Sequence, residues 1–249
     1  METMQLGIYP LPYPLLLHRK LLDAHIYSDM RKNYYWSDDF SPAYYIAQAK
    51  AGFIAITDTY EERELLLPEI QFSYALLDFS DLHISRKVKK LLNEKSLQLI
   101  KSDTLERVAH AIGTTHKNSW LTPRYLAMLN ATKGADENFH VTSFFIEEKG
   151  KAVAGEIGYS IGDTYTSLSG FTCRERSYNH YGTAQLVLLA NYLEQQGYAF
   201  WNLGQPYMEY KFALGAKVYE RSDFLKRWFH ETRKRSIFQT DKSIPENVR

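Results

Sequence analysis

The chain has 249 residues, of which 45% are hydrophobic and 24% charged, and its net charge is +1. That mix excludes a disordered polyelectrolyte and a bulk polycation, so any nucleic-acid role requires charge concentrated locally. A single cysteine, Cys173, excludes an intramolecular disulfide and a cysteine zinc cluster, and no apolar stretch approaches a membrane span.

The length suits one large domain or two small ones. A reducing, cytoplasmic setting is the default expectation for so few cysteines. Residues 1–33 read as an irregular arm interrupted by Pro10, Pro12 and Pro14, without the basic n-region of a signal peptide. Ser41-Pro42 opens a helix that stops at Gly52, because serine caps and proline fits the first helical position. FIAIT (53–57) is strand-like, and the acidic stretch 58–69 reads as a surface loop or turn. Ser85 caps RKVKKLLNEK, SLQLIKS is strand-like, and Asp103 or Thr104 caps a helix ending at Gly113. Thr122-Pro123 opens another helix. Residues 140–146, 151–160 and 163–169 read as consecutive antiparallel strands with turns at Lys149-Gly150 and Gly162-Asp163. A long helix follows (GTAQLVLLANYLEQQG), then the strand YAFWNLG and the short helix MEYKFALG. The tail KSIPENVR is expected to be mobile.

This order predicts an α+β chain: a small N-terminal domain, then a GNAT-like acyltransferase domain with a mixed sheet. The boundary falls near residue 80, giving an arm and small domain over 1–80 and the transferase domain over 81–249.

Five features bear on chemistry. In DLHISRKVKKLL, Arg86, Lys89 and Lys90 share a helix face, with Lys87 beside them. They read either as a solvated face or as a phosphate-backbone footprint. Trp120, before a Thr-Pro helix start, is either core or one wall of a cleft. Asn179-His180-Tyr181-Gly182-Thr183-Ala184 opens the long helix and partly mimics a coenzyme A pyrophosphate loop, although an ordinary helix start has the same look. Cys173 lacks an evident histidine partner and reads as a bystander thiol. Gln205 breaks out of an apolar strand, either as a turn residue or as a group that orients an amine or a carbonyl.

Together and in order, these stretches resemble the leucyl/phenylalanyl-tRNA–protein transferases. SDDFSPAYYIAQAKAGFIAI is similar to that family's GGDLSPE…LLxAYxxGIFPW, DLHISRKVKKLL to LHISRSLRK, and NSWLTPRYL to TWITPEM. SLSGFTCRERSYNHYGTA resembles GESMFSRxxNASKTA with a short insertion. LGQPYMEYKFALGAKVYERSDFL resembles IDCQxxxxHxxSLGAxxIxRxxF. The similarity spans about residues 34–227.

The resemblance implies transfer of an amino acid from its tRNA to the N-terminal amine of a protein, with no metal or coenzyme A. It places Arg86, Lys87, Lys89 and Lys90 on a tRNA-facing helix and Trp120, Leu168, Ser169 and Phe171 around the substrate. It places Gln205 in the catalytic position; Asn202, one place before the residue that replaces the family's Asp, is expected to lend a supporting hydrogen bond. The expected partners are aminoacyl-tRNA and an acceptor protein, peptide or small amine, with no membrane and a monomeric chain. The departures are specific. The family's acid in GESMF is Leu168 here, the Asp of DCQ is Leu203, the following His is Tyr210, and the Tyr after the cleft Trp is Leu129. WWSP has no clear counterpart. Two carboxylates are thus absent from the motif positions, so the acceptor need not begin with Arg or Lys. The alternatives are a coenzyme A-dependent N-acetyltransferase using the Asn179 loop, and a tRNA-binding module without catalysis.

Overall fold

The computed structural model describes residues 8–234. The tail KSIPENVR and the first seven residues of the arm lie outside the described residues. In chain order the first elements are β1 (Tyr9–Pro10), α1 (Tyr13–Leu16), α2 (Arg19–Leu22), β2 (Tyr35–Trp36), α3 (Pro42–Lys50), β3 (Ile54–Tyr60), β4 (Arg63–Glu69) and β5 (Ser73–Leu77). There follow α4 (Arg86–Glu94), β6 (Leu99–Ser102), α5 (Glu106–Thr115), α6 (Pro123–Ala131), β7 (Phe139–Glu148), β8 (Lys151–Ile161) and β9 (Thr164–Thr172). The chain closes with α7 (Tyr181–Gln195), β10 (Phe200–Asn202), α8 (Glu209–Ala213), β11 (Lys217–Glu220) and α9 (Arg221–Glu231).

Seven strands form one mixed sheet in the order β11-β5-β10-β9-β8-β7-β6. β7, β8 and β9 are the expected antiparallel meander, α7 crosses over, and β10 returns parallel to β9. This is the α+β, GNAT-like order that the sequence implied. Successive strand residues point to opposite faces, so Phe200 joins a core with Tyr45, Phe53, Tyr125, Tyr159 and Trp228. Trp201 joins a second core against α7, with Tyr165, Val187 and Leu189.

The caps follow the sequence at three helices. Ser41, Ser85 and Thr122 accept hydrogen bonds from the amides of Tyr44, Val88 and Tyr125. Elsewhere the structure differs. α5 starts after Leu105 with no side-chain cap and runs through Gly113 to Thr115; the Thr104 hydroxyl instead pairs with that of Ser102. The proline-interrupted arm holds short helical turns, and its Leu11, Leu16, Leu22 and Ile26 are buried in the core. Residues 58–69 are no loop: β3 and β4 pair from Ile54↔Glu69 to Tyr60↔Arg63. The two-residue turn is Glu61-Glu62, both at positive φ (47° and 62°). That backbone is the usual tight hairpin geometry, but its preferred residues are Asn and Gly, so the acidic pair concealed it. β5, β11 and α9 complete the sheet edge and its covering helix.

One buried cation ties these parts together. Arg221, 1% exposed, donates to the carbonyls of Gln71 (2.9 Å), Ile70 (2.8 Å), Asp29 (2.8 Å), Lys32 (3.0 Å), Ile26 (3.3 Å) and Tyr27 (3.5 Å). A buried carbonyl without a donor is costly. Arg221→Ala should therefore destabilise the chain by about 3 kcal/mol or more, measured by urea unfolding.

A buried carboxyl sits on the α7 face. Glu156, 3% exposed, accepts from Ser167 Oγ (2.7 Å) and Tyr165 Oη (3.1 Å). Gly158 leaves that tyrosine room: a Cβ there would lie 2.3 Å from Tyr165 Oη. Burial pushes the Glu156 carboxyl up from 4.5 to about 7 against these hydrogen bonds. The fold thus favours the protonated acid. Its stabilisation is complete below the ordinary carboxylate range and is lost as pH rises through about 7. Glu156→Gln should match the parent near pH 4 and exceed it in stability above pH 8, by up to about 3 kcal/mol in urea unfolding.

Candidate active site

β9 and β10 part company after three pairs, the last being Asn202↔Thr166. β10 stays with β5, because Leu203 N donates to Ala75 O (2.9 Å) and Ala75 N to Gly204 O (2.8 Å). β9 runs on to Thr172 against β8, with a bulge that leaves Leu168 unpaired between Ser167↔Gly158 and Ser169↔Ile157. A bulge re-aims side chains locally. Beyond Thr166 no strand among the described residues pairs with that edge of β9, where His116 Nε2 lies 2.9 Å from Gly170 O, and the chain leaving β10 stands beside the gap.

Gln205 is delivered at that point. Gly204 has φ +73°, a left-handed turn that glycine adopts without strain. Asn202, 1% exposed, holds the turn: its Oδ1 accepts from Gly204 N (2.9 Å) and its Nδ2 donates to Thr166 Oγ1 (3.4 Å). Lys211, 5% exposed, crosses back from α8 and donates to the carbonyls of Leu203 (2.5 Å) and Gln205 (2.7 Å). Burial pulls its ammonium down to about 8.

The Gln205 side chain meets a carboxylate that the motifs do not contain. Its Nε2 donates to Glu69 Oε2 (2.7 Å) and to Tyr34 Oη (3.1 Å). Glu69 ends β4 and is buried, and Asn33 Nδ2 donates to its Oε1 (2.8 Å). Burial raises the Glu69 carboxyl above its ordinary range, opposed by these hydrogen bonds. Burial, then the Glu69 charge, pushes the Tyr34 phenol up to about 12. Sequence reasoning misses Glu69 because the acidic stretch that holds it reads as a surface loop. The available signal is the apolar run Leu65-Leu66-Leu67 opposite the alternating IAITDTY.

The remaining expected residues fall into three places. Trp120 is half-buried, edge-on to Tyr125 (5.2 Å, 84°), with its carbonyl taken by the Thr57 hydroxyl. Trp120 and Leu168 pack on the same core that contains Phe171, and Ser169 is half-buried. None of these four is hydrogen-bonded to Gln205. Arg86, Lys87, Lys89 and Lys90 are exposed on α4, which packs on α7 through buried Val88. Among the described residues, only Lys90 of the four has a carboxylate within ion-pair distance, Glu94 at 3.7 Å. The segment leading into α4 is joined to the end of α8 by His83 N→Leu214 O (2.8 Å), so the basic helix is anchored close in the chain path to the Gln205 turn. Asn179 and His180 are exposed, and α7 starts from His180 in a left-handed conformation without a side-chain cap. Cys173 is half-buried, its thiol 3.9 Å from Ala152 O.

The signature of the leucyl/phenylalanyl-tRNA protein transferases matches residues 76–228, which hold both the basic helix and Gln205. The chain belongs to the leucyl/phenylalanyl-tRNA protein transferase family. Membership makes it a relative of aminoacyl transferases. The match begins inside β5, so Tyr34 and Glu69 lie upstream of the family segment.

No curated protein sequence matches the chain. Among solved structures it is similar to L-PGS from Bacillus licheniformis, at 12% identity and TM-score 0.40, over 64% of this chain and 49% of that one. It is also similar to the C-terminal domain of an Agrobacterium fabrum protein described as a lysylphosphatidylglycerol synthetase, at 15% identity and TM-score 0.40, over 78% and 57%. The chain thus spans about half the length of each. No helix among the described residues is long and apolar enough to cross a membrane.

Proposed function

We propose that this family member moves an amino acid from a charged tRNA onto a primary amine, in the cytoplasm, with the N-terminus of a protein or peptide as the acceptor class. The observation that carries this is Gln205, presented by a left-handed glycine at the β9–β10 gap and held by a buried carboxylate. The transferase machinery is assigned to the portion from residue 81 onward, with Tyr34 and Glu69 supplied by the segment before it.

The aminoacyl ester is already activated. The amine nitrogen attacks the ester carbonyl, a C–N bond forms, and the C–O bond to the ribose breaks. The proton leaving the amine ends on the ribose oxygen, directly or through water. Such a step needs orientation of the nucleophile more than a strong base. Gln205 is assigned that orientation, and Asn202 is assigned to hold the turn that presents it. Trp120, Leu168, Ser169 and Phe171 are assigned to the substrate cleft. Leu168 stands where the family carries an acid, so a cationic first residue on the acceptor finds no charge partner there.

In a transfer assay with charged tRNA and peptides of varied first residue, Gln205→Ala should cut the rate about 10- to 1,000-fold, the range for losing one positioned polar group. Acceptors should not be restricted to those beginning with Arg or Lys. An unchanged rate removes Gln205 from the mechanism, and tRNA binding without transfer to any amine supports a binding module instead.

Arg86, Lys87, Lys89 and Lys90 are assigned to the tRNA backbone. Replacing all four by Ala should weaken tRNA binding and lower the slope of log affinity against log salt by about 3, as expected for four lost phosphate contacts. Filter binding at several salt concentrations measures it.

A further inference from the structure

We infer that the Glu156 carboxyl is the floor of the seat for the side chain of the transferred amino acid, and that it selects a side chain ending in a cation, as those of lysine and arginine do. This rests on the transfer reaction proposed above and names its donor class.

Glu156 lies where the sheet opens. Its Oε1 accepts from Ser167 Oγ (2.7 Å) and Tyr165 Oη (3.1 Å). Ser167 is the first β9 residue past the last β9–β10 pair, and its Oγ also accepts from Trp201 Nε1 of β10 (2.8 Å). The carboxyl therefore hangs at the first unpaired level of the gap. α8, which follows Gln205, faces it from another side: burial, then the Glu156 charge, push the Tyr210 phenol up to about 12.

The cluster is unfinished. Both hydrogen bonds to the carboxyl fall on Oε1. Among the described residues nothing donates to Oε2, and that atom is not sealed from solvent although the residue as a whole is 3% exposed. Gln185 of α7, equally buried, faces the same carboxyl closely enough to favour its ionised form, yet its Nε2 has no hydrogen-bond partner. No cation among the described residues acts on Glu156, and Lys211 of α8 spends its hydrogens on the carbonyls of Leu203 and Gln205.

Donors converging on one oxygen make this group an acceptor. An enclosed acid with its second oxygen open and no cation beside it draws one, and the charge-assisted bond that forms is stronger than a neutral one. So small an opening admits the end of one side chain and no more. Gln205 is held from the hairpin side by Glu69 and Tyr34, and it orients the amine from there. The aminoacyl ester lies between the two, with its side chain as the part directed at Glu156. An apolar side chain in that place covers Oε2 without pairing it, a cost that an ammonium or guanidinium avoids.

The test uses the full chain and amino acid amides, which carry the α-amine and the side chain without the tRNA. By calorimetry, lysinamide should bind at least about 10-fold tighter than norleucinamide, an apolar counterpart of similar shape. In protein labelled with ¹³C at its glutamate carboxyls, the signal lost in Glu156→Gln should move to its ionised position with lysinamide and stay in place with norleucinamide. Glu156→Gln should erase the preference. In the transfer assay, lysyl- or arginyl-tRNA should exceed leucyl- or phenylalanyl-tRNA in kcat/KM by about 10- to 100-fold, the penalty of an acid left buried and unpaired. Glu156→Leu should reverse that order. Binding of neither amide, equal binding of both, or a parent preference for leucyl- or phenylalanyl-tRNA overturns the proposal. So does a preference for Lys or Arg that appears on the acceptor instead of the donor. If the parent transfers from no charged tRNA, the proposed activity fails, and the two amides still decide whether Glu156 seats a cation. If neither variant folds, the parent's choice between the amides decides by itself.

Discussion

The guanidinium of Arg221 is the constraint on which the site depends. It sits at the first turn of α9 and gathers the carbonyls of residues 26, 27, 29 and 32 from the arm and 70 and 71 from the β4–β5 connection. Asn33 and Tyr34 directly follow the first group, and Glu69 directly precedes the second. One planar cation with a fixed fork of donors therefore sets where the carboxylate and both of its neighbours stand. Lysine, a point donor, could not reach so many carbonyls at once. The pairing of Tyr34 with Glu69 and the bond from Ile70 N to Asn33 O (2.8 Å) finish the alignment.

From that anchor the chemistry is built on two faces of one gap. On one face, Glu69 and Tyr34 hold the side chain of Gln205, while Lys211 holds its backbone. On the other, Glu156 is tied to Ser167, and Ser167 Oγ accepts from Trp201 Nε1 (2.8 Å), bridging β9 and β10 just where their pairing stops. Both carboxyls are raised by burial. Among the described residues these are the two buried carboxylates, and both are linked to the strands that part at the gap, a pattern common at functional sites.

Much of this was legible in the sequence. The meander, the crossover helix and the return strand were marked by alternation, glycine turns and a helical apolar period. The serine and threonine caps stood where their hydroxyls now accept. Gln205 was visible as a polar break in an apolar run. What stayed hidden depended on contacts between distant segments. The Glu61-Glu62 turn adopts a backbone its residues seldom choose, so the hairpin looked like a solvated acidic loop. β5 is a short apolar run whose role comes only from its neighbours β10 and β11. Glu69 and Gln205 are 136 positions apart, and no local pattern connects them.

The hairpin that carries Glu69 belongs to a two-stranded sheet separate from the main one. Its register, Ile54 opposite Glu69, decides that this carboxylate points toward Gln205. In a β pair, a slip of one residue turns every side chain to the opposite face. The electrical sign of the gap is therefore written in a strand pairing outside the segment that matches the family. Lengthening or shortening the Glu61-Glu62 turn by one residue resets it and leaves the glutamine and its glycine untouched.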